Sequence, residues 1–227
     1  MSRPQLVEEK GFTIIPDVVA PEDLRGLVEA RNQADLTRSR AGIRHAMRLT
    51  PVNAVARKPG LLGISREILG AEAFPFRATL FDKSPASNWL VVWHQDTVLP
   101  LRERRETPGW GPWSVKDGVN YAHAPASALS QVLALRVHLD DSTADNGPLR
   151  VLPGTHTLGV LTDDAIHELS TQVEAVDCLI SRGGVLAMRP LIVHASSKSQ
   201  AENPRRVLHI EYTDAVNLGP GIKLAIA

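Results

Sequence analysis

Hydrophobic positions change their spacing partway along the chain. From residue 76 onward, apolar residues gather in short runs that read as strands, over residues 76–83, 89–96, 131–140, 149–153, 172–180, 184–189, 191–196 and 205–213. Turn-forming clusters separate several of them, among them "SPASN", "DSTADNGP", "PGTH", "SRGG" and "AENP". Before that point one strand-like stretch, "GFTIIPDVV" (11–19), leads into a helical spacing. In "APEDLRGLVEARNQADL", Pro21 suits the first helical position, and Glu22 and Asp23 suit the positive end of the helix dipole. Leu24, Leu27, Val28 and Arg31 fall on one face, which predicts docking on a core. Further helices are predicted over residues 59–69, closed by Gly70, and over residues 162–169, capped by Thr162. Eight short strands after a helical section predict a mainly β domain: a two-sheet antiparallel jelly roll with N-terminal and flanking helices. Residues 97–130 break the pattern, and a segment of that length predicts a lid or substrate loop.

Composition narrows the picture further. At 227 residues the chain suits one domain with a sizeable core, and 43% apolar and 22% charged residues are ordinary for a soluble globular protein. Lys+Arg and Asp+Glu balance at 25 each, which argues against a nucleic-acid or anionic-membrane partner. The single cysteine, Cys178, rules out a disulfide within the chain and predicts a reducing compartment. The first residues, "MSRPQLVEEKGF", carry no apolar leader, and no apolar run approaches membrane-spanning length. The expected location is the cytoplasm.

Candidate chemistry begins with "NWLVVWHQDTVLP" (88–100). Residues i and i+2 of a strand share a face, so His94 and Asp96 project together, on the side of Leu90 and Val92. An imidazole and a carboxylate on one face form two-thirds of a facial triad that holds a divalent metal and leaves positions open. The same spacing recurs in His138 and Asp140, and strand parity does not separate the two pairs. Asp140 has an alternative as a turn residue in "DDSTADNGP". A further apolar strand ends in His194, with Ser196 on the same face, and Arg205 opens the next strand. A hairpin of this length sets Arg205 near Ser196. A buried guanidinium needs an anion, and a dicarboxylate offers the planar group that arginine binds bidentately. Alternation puts Leu208, Ile210 and Tyr212 on one face of the last long strand and Arg205, Val207, His209 and Glu211 on the other. The plain alternative is a solvated Arg205–Arg206 pair after a proline turn.

Taken together, "GFTIIPDVVAPEDL", "WHQD", "DNGPLRVLPGTHTLG", "GGVLAMRPLIVHASSKS" and "PRRVLHIEY" resemble the phytanoyl-CoA dioxygenase family of Fe(II)/2-oxoglutarate oxygenases over nearly the whole chain. The resemblance implies a double-stranded β-helix. It implies His94, Asp96 and His194 as metal ligands and leaves Asp140 to the turn. It implies Arg205 and Ser196 as partners of the distal carboxylate of 2-oxoglutarate, with Arg206 as the fallback. Lys83, sharing a strand face with Thr79 and Phe81, is a further cosubstrate candidate against a surface, snorkelling alternative. Arg136 and His138 share a face and are candidate pocket residues. The implied activity is O2-dependent oxidation of a small molecule, with 2-oxoglutarate converted to succinate and CO2. Asp96 favours hydroxylation or another oxidation over halogenation, because related halogenases lack that carboxylate. Trp93, Trp110 and Trp113 are candidates for an aromatic wall, and "RERRE" for an anion contact. The competing class is a non-catalytic, cupin-like binding module. Such a module is expected to have lost one of His94, Asp96, His194 or Arg205, and all four are present.

Overall fold

The computed structural model describes residues 1–33, 42–85 and 87–226, and residues 38–39 as backbone. Two antiparallel sheets carry the site. The strands are β1 (Phe12–Ile15), β2 (Arg38–Ser39), β3 (Gly42–Ile43), β4 (Phe74–Lys83), β5 (Val91–His94), β6 (Val98–Leu101), β7 (Trp113–Lys116) and β8 (Val119–His123). They continue with β9 (Val132–His138), β10 (Leu149–Val151), β11 (Val176–Cys178), β12 (Val185–Met188), β13 (His194–Ser196), β14 (Arg205–Thr213), β15 (Asn217–Gly219) and β16 (Ile222–Lys223). The major sheet has the order β1-β12-β9-β14-β4-β3-β2 and the minor sheet β11-β10-β13-β5. The inner faces oppose each other without closing into a barrel, which is the jelly roll expected from the strand pattern.

Alternation decides what each face of the major sheet meets. Leu208, Ile210 and Tyr212 of β14, with Leu133, Leu135 and Val137 of β9, point outward into one apolar cluster. The helices α1 (Arg3–Lys10), α2 (Pro21–Gln33), α3 (Thr50–Ala56) and α4 (Pro59–Leu69) cover this face. Leu24 and Leu27 of α2 are buried there, as the helical spacing predicts, each contributing about 1.5–3 kcal/mol. The predicted continuation of α2 beyond residue 33 lies outside the described residues. Gly70 closes α4 with its N–H on the Arg66 carbonyl. The outer face of the minor sheet packs on α6 (Asp163–Gln172), capped by Thr162, through Val193, Ile166 and Trp93. Between the sheets, Phe12, Leu149, Val151, Cys178, Leu186, Met188 and Ile192 form an apolar plug at one end. The other end is polar and open.

Several expectations change. Hydrophobic periodicity does not predict α1, and the predicted strand over residues 172–180 shrinks to β11 because α6 runs on to Gln172. Residues 97–130 are not one continuous loop. They form a third sheet, β6-β8-β7, and a short helix, α5 (Ala126–Leu129). Trp110 and Trp113 pack against the apolar cluster beneath this sheet rather than forming a site wall. The "RERRE" side chains are exposed, and Arg104 pairs with Glu106. Among the described residues, no helix is long and apolar enough to cross a membrane.

Candidate metal and cosubstrate site

All three candidate ligands stand at one end of the minor sheet. β13 pairs with β5 so that His194 lies directly opposite His94, and Asp96 follows two residues on. The two imidazole rings are 4.2 Å apart, centre to centre. His94 Nε2 lies 3.8 Å from Asp96 Oδ1, and His194 Nε2 lies 3.6 Å from Asp96 Oδ2. One donor atom from each residue falls within 4.8 Å of the others, a spacing that one ion can bridge. Both rings are fixed from behind. His94 Nδ1 donates to the Val92 carbonyl at 2.8 Å and His194 Nδ1 to the Ile192 carbonyl at 2.9 Å. That leaves each Nε2 as the free lone pair, the tautomer a metal needs. Burial lowers the His194 pKa to about 4 against the opposing pull of Asp96, so its ring is neutral at neutral pH. Burial alone would raise the Asp96 pKa, but His194, His209 and His94 outweigh it and hold the carboxyl below its usual range. An N,N,O set of two neutral imidazoles and one carboxylate fits a divalent first-row ion.

Gln95 sits between two ligands and points the opposite way, as strand parity requires. Its amide donates to the carbonyls of Gly159 at 2.9 Å and Leu191 at 2.7 Å and accepts from the Leu161 N–H at 2.9 Å. Asp96 N–H donates to the Pro190 carbonyl at 3.0 Å. Sequence reasoning missed Gln95, whose partners are all distant in the chain. The strand face itself also differs from expectation. Leu90 and Val92 are 58% and 68% exposed, so the ligands stand at an open rim and not on a buried wall.

A cavity of about 480 Å³ opens from the triad toward Arg205. Arg205 and Lys83 are register partners on β14 and β4, and both are buried. Lys83 Nζ donates to Ser196 Oγ at 2.7 Å and also to the Ser197 carbonyl. Arg205 donates to the same hydroxyl at 3.3 Å and to the Asn146 carbonyl at 3.2 Å. Ser196 in turn donates to the Gly147 carbonyl at 2.8 Å, so its hydroxyl is saturated by the protein. Gly147 has φ +67°, and a Cβ there would collide with the Ser197 carbonyl, which explains a glycine at this turn. Lys83 is therefore a buried cavity group and not a snorkelling surface lysine. Trp89 stands over it, with Nζ 5.6 Å from the ring centre.

Arg136 completes a group of three cations on this wall. It bonds His209 Nδ1 at 3.1 Å and lies 5.3 Å over the Phe81 ring, while its Nε has no partner among the described residues. Burial, and then Arg136, lowers the Arg205 pKa to about 10, while burial, Arg205 and Arg136 lower that of Lys83 to about 8. Asp96 is the one carboxylate among the described residues lining this cavity. His138 is 1% exposed, has no partner for either ring nitrogen among the described residues, and is held neutral with a pKa of about 3, by burial first and then by Arg136. Asp140 lies outside the site. It accepts from the Arg206 guanidinium at 2.7 Å through both oxygens and from the Arg206 N–H at 2.9 Å. The second H-x-D pair is thus split: His138 faces inward, and Asp140 holds Arg206 outward.

A model of the phytanoyl-CoA dioxygenase (PhyH) family matches residues 7–207. L-proline trans-4-hydroxylase from Streptomyces griseoviridis is 25% identical over 189 residues, covering 72% of this chain and 63% of that protein. Ectoine dioxygenase from Halomonas elongata is 24% identical over 238 residues, covering 87% and 65%. The chain therefore spans a little under two thirds of these curated relatives' length. Among solved structures, EctD from S. alaskensis with 2-oxoglutarate and 5-hydroxyectoine superposes with a TM-score of 0.71 at 19% identity, covering 95% of this chain and 77% of that one. AviO1 from Streptomyces viridochromogenes gives 0.68 at 20%, covering 98% and 96%. The epimerase SnoN in complex with Fe3+, alpha ketoglutarate and nogalamycin RO gives 0.70 at 17%, covering 96% and 86%. Identities this low carry the fold alone. The family match covers residues 7–207, well over half of the chain, and on that ground the chain belongs to the phytanoyl-CoA dioxygenase family.

Proposed function

We propose that this protein is an Fe(II)- and 2-oxoglutarate-dependent oxygenase acting on a small molecule. The observation that carries the reading is the pairing of a three-residue metal donor set with a cavity of unbalanced buried cations. Burying a charge without a counter-ion costs several kcal/mol, so a fold that gathers Lys83, Arg205 and Arg136 around one cavity is built for an anionic occupant. A dicarboxylate fits: one end reaches the metal, the other meets the cations.

His94, Asp96 and His194 would hold the ion. Lys83 and the free N–H groups of Arg205 would bind the distal carboxylate of 2-oxoglutarate, with Ser196 keeping the two cations in register. When bound, Fe(II) and 2-oxoglutarate supply O2-dependent removal of a substrate hydrogen, coupled to conversion of the cosubstrate to succinate and CO2. The protein's share is geometric: hydrogen-bonded imidazoles prevent ligand rotation, and Gln95 fixes the strand end that presents them. Relatives named as a proline hydroxylase and an ectoine dioxygenase support a small-molecule substrate and make hydroxylation the favoured outcome.

Anaerobic titration of the metal-free protein with Fe(II) and then 2-oxoglutarate tests this reading. A visible charge-transfer band is expected in wild type and His138→Ala, lost in His94→Ala and weakened in Arg205→Ala. Folded wild type without a band would overturn the cosubstrate assignment in favour of a non-catalytic binding module.

A further inference from the structure

The triad also borders a second cavity of about 330 Å³, on the side of His94 and Asp96 away from Lys83. That volume is at the small end of the range for small-molecule sites. One side of the wall comes from the β6-β8-β7 sheet, through Val98, Lys116, Tyr121 and His123, and from Arg44 just after β3; β4, β14 and the triad strand supply the rest. Its charges do not balance. Asp96 belongs to the metal centre. Glu211 is bound to Arg77 through both carboxylate oxygens. What remains is Arg44 and Lys116, and neither makes an ion pair among the described residues. His45 adds a ring whose Nε2 is 3.6 Å from Asp117, too long for a hydrogen bond.

We propose that this second cavity takes a small anionic substrate, a carboxylate or a phosphate monoester, whose charge is recognised by Arg44 and Lys116. The inference rests on the oxygenase reading above, because that reading assigns the Lys83 cavity to 2-oxoglutarate and leaves this one for the substrate. Solvated lysines and arginines are common, and Arg44 is exposed, but Arg44 and half-buried Lys116 line the same cavity. Lys116 Nζ lies 5.2 Å from the Tyr121 ring centre, and the Arg77 guanidinium flanks the same ring at 6.0 Å. Burial, and then Arg44 and Arg77, depress the Lys116 pKa, as expected where like charges meet over a low-dielectric wall. An anion in the cavity relieves that repulsion, and the field of the two cations draws it in. Tyr121 and Phe81 supply the apolar surface for the rest of the molecule.

The test uses the full chain loaded with Zn(II), a diamagnetic stand-in, and saturating 2-oxoglutarate. Saturation-transfer NMR then compares cyclohexanecarboxylate with cyclohexanecarboxamide and phenyl phosphate with phenol. In wild type at least one anion is expected to bind about tenfold tighter than its neutral partner, and which pair responds distinguishes carboxylate from phosphate. The preference is expected to disappear in Arg44→Gln/Lys116→Gln with 2-oxoglutarate still bound. Equal binding of anion and neutral partner, no binding of either anion, or a preference that survives the double substitution would overturn the proposal. Failure of the underlying reading looks different: 2-oxoglutarate itself then gives no transfer signal in wild type.

Discussion

Lys83 and Arg205 face each other across β4 and β14, and both direct their cationic ends onto one hydroxyl, that of Ser196. Two like charges sharing a buried acceptor is an arrangement that costs the fold stability and that an anionic ligand relieves. Stability and binding should therefore move in opposite directions on substitution. Lys83→Met is expected to raise metal-free stability by about 1–3 kcal/mol in chemical denaturation. In the anaerobic titration it should weaken 2-oxoglutarate binding by roughly tenfold to a hundredfold. A variant that is less stable yet binds normally would remove Lys83 from the cosubstrate site.

The same lysine gives a pH signature. Its pKa is about 8 in the folded chain against 10.5 for the unperturbed side chain. Below about pH 8 both states carry the proton, and the folded state bears the full penalty of the buried charge. Between about 8 and 10.5 the unfolded chain holds a proton that the folded one has released, so this group makes stability rise with pH. The stability advantage of Lys83→Met over wild type should therefore shrink from about pH 8 upward in denaturation curves of the metal-free protein. A gap that stays constant to about pH 9.5 would contradict the depressed pKa.

Gln95 is expected to act as a positioning residue. Gln95→Ala leaves the Gly159 and Leu191 carbonyls and the Leu161 N–H without their partner. The expected loss of stability is about 1–3 kcal/mol. Since the amide anchors the strand end that presents His94 and Asp96, Co(II) affinity should also fall by about tenfold or more, with all three ligands intact. Destabilisation with full Co(II) affinity would make Gln95 a packing residue only.

How far the sequence carried these conclusions depended on the range of the interactions involved. The alternation in β14 sorted Leu208, Ile210 and Tyr212 from Arg205, Val207, His209 and Glu211, and the two faces divide in that way because a strand obeys parity wherever one side is buried. α1 buries only Val7, so it has no periodic stripe; its capping box from Ser2 to Gln5 was the available signal. The sheet within residues 97–130 was announced by Asp117-Gly118, whose positive φ values of 51° and 78° make the two-residue turn between β7 and β8. Short flanking strands without clean alternation obscured it. Lys83 read equally well as surface or site, because its burial depends on Ser196 and Gly147, which only the folded chain brings near.

Asp140 supplies a control on ligand choice. It shares the H-x-D spacing with Asp96 but spends its carboxylate on the Arg206 side chain and N–H, at the start of β14. The pair is partly exposed, at 21% and 19%, which limits its worth to about 1–2 kcal/mol. Asp140→Ala should lower the unfolding midpoint modestly and leave the Fe(II)/2-oxoglutarate band intact, whereas Asp96→Ala should abolish the band. Loss of the band in Asp140→Ala, in a folded protein, would mean that the orientation of β14 matters to the site more than the contacts indicate.

Arg77 and Glu211 are the register partners at the far end of the same face, forming a bidentate pair beneath the second cavity. Glu211 is 2% exposed, and Arg77 also donates to the Val98 carbonyl at 3.0 Å, tying β4 to the third sheet. In such a pair each charge is tolerated because the other is present. Glu211→Leu alone strands the guanidinium and should cost about 3–5 kcal/mol. Arg77→Met/Glu211→Leu removes both charges and should recover most of that loss, since well-packed apolar residues often match a buried ion pair. A double-mutant cycle in chemical denaturation gives the coupling directly. If the double variant recovers stability and keeps the charge-transfer band, the pair serves the wall and not the metal. Failure to recover would make the Val98 tether the larger share of what Arg77 contributes, added to the apolar contacts of Leu99, Leu101 and Ala122 that already seat the third sheet on Phe76.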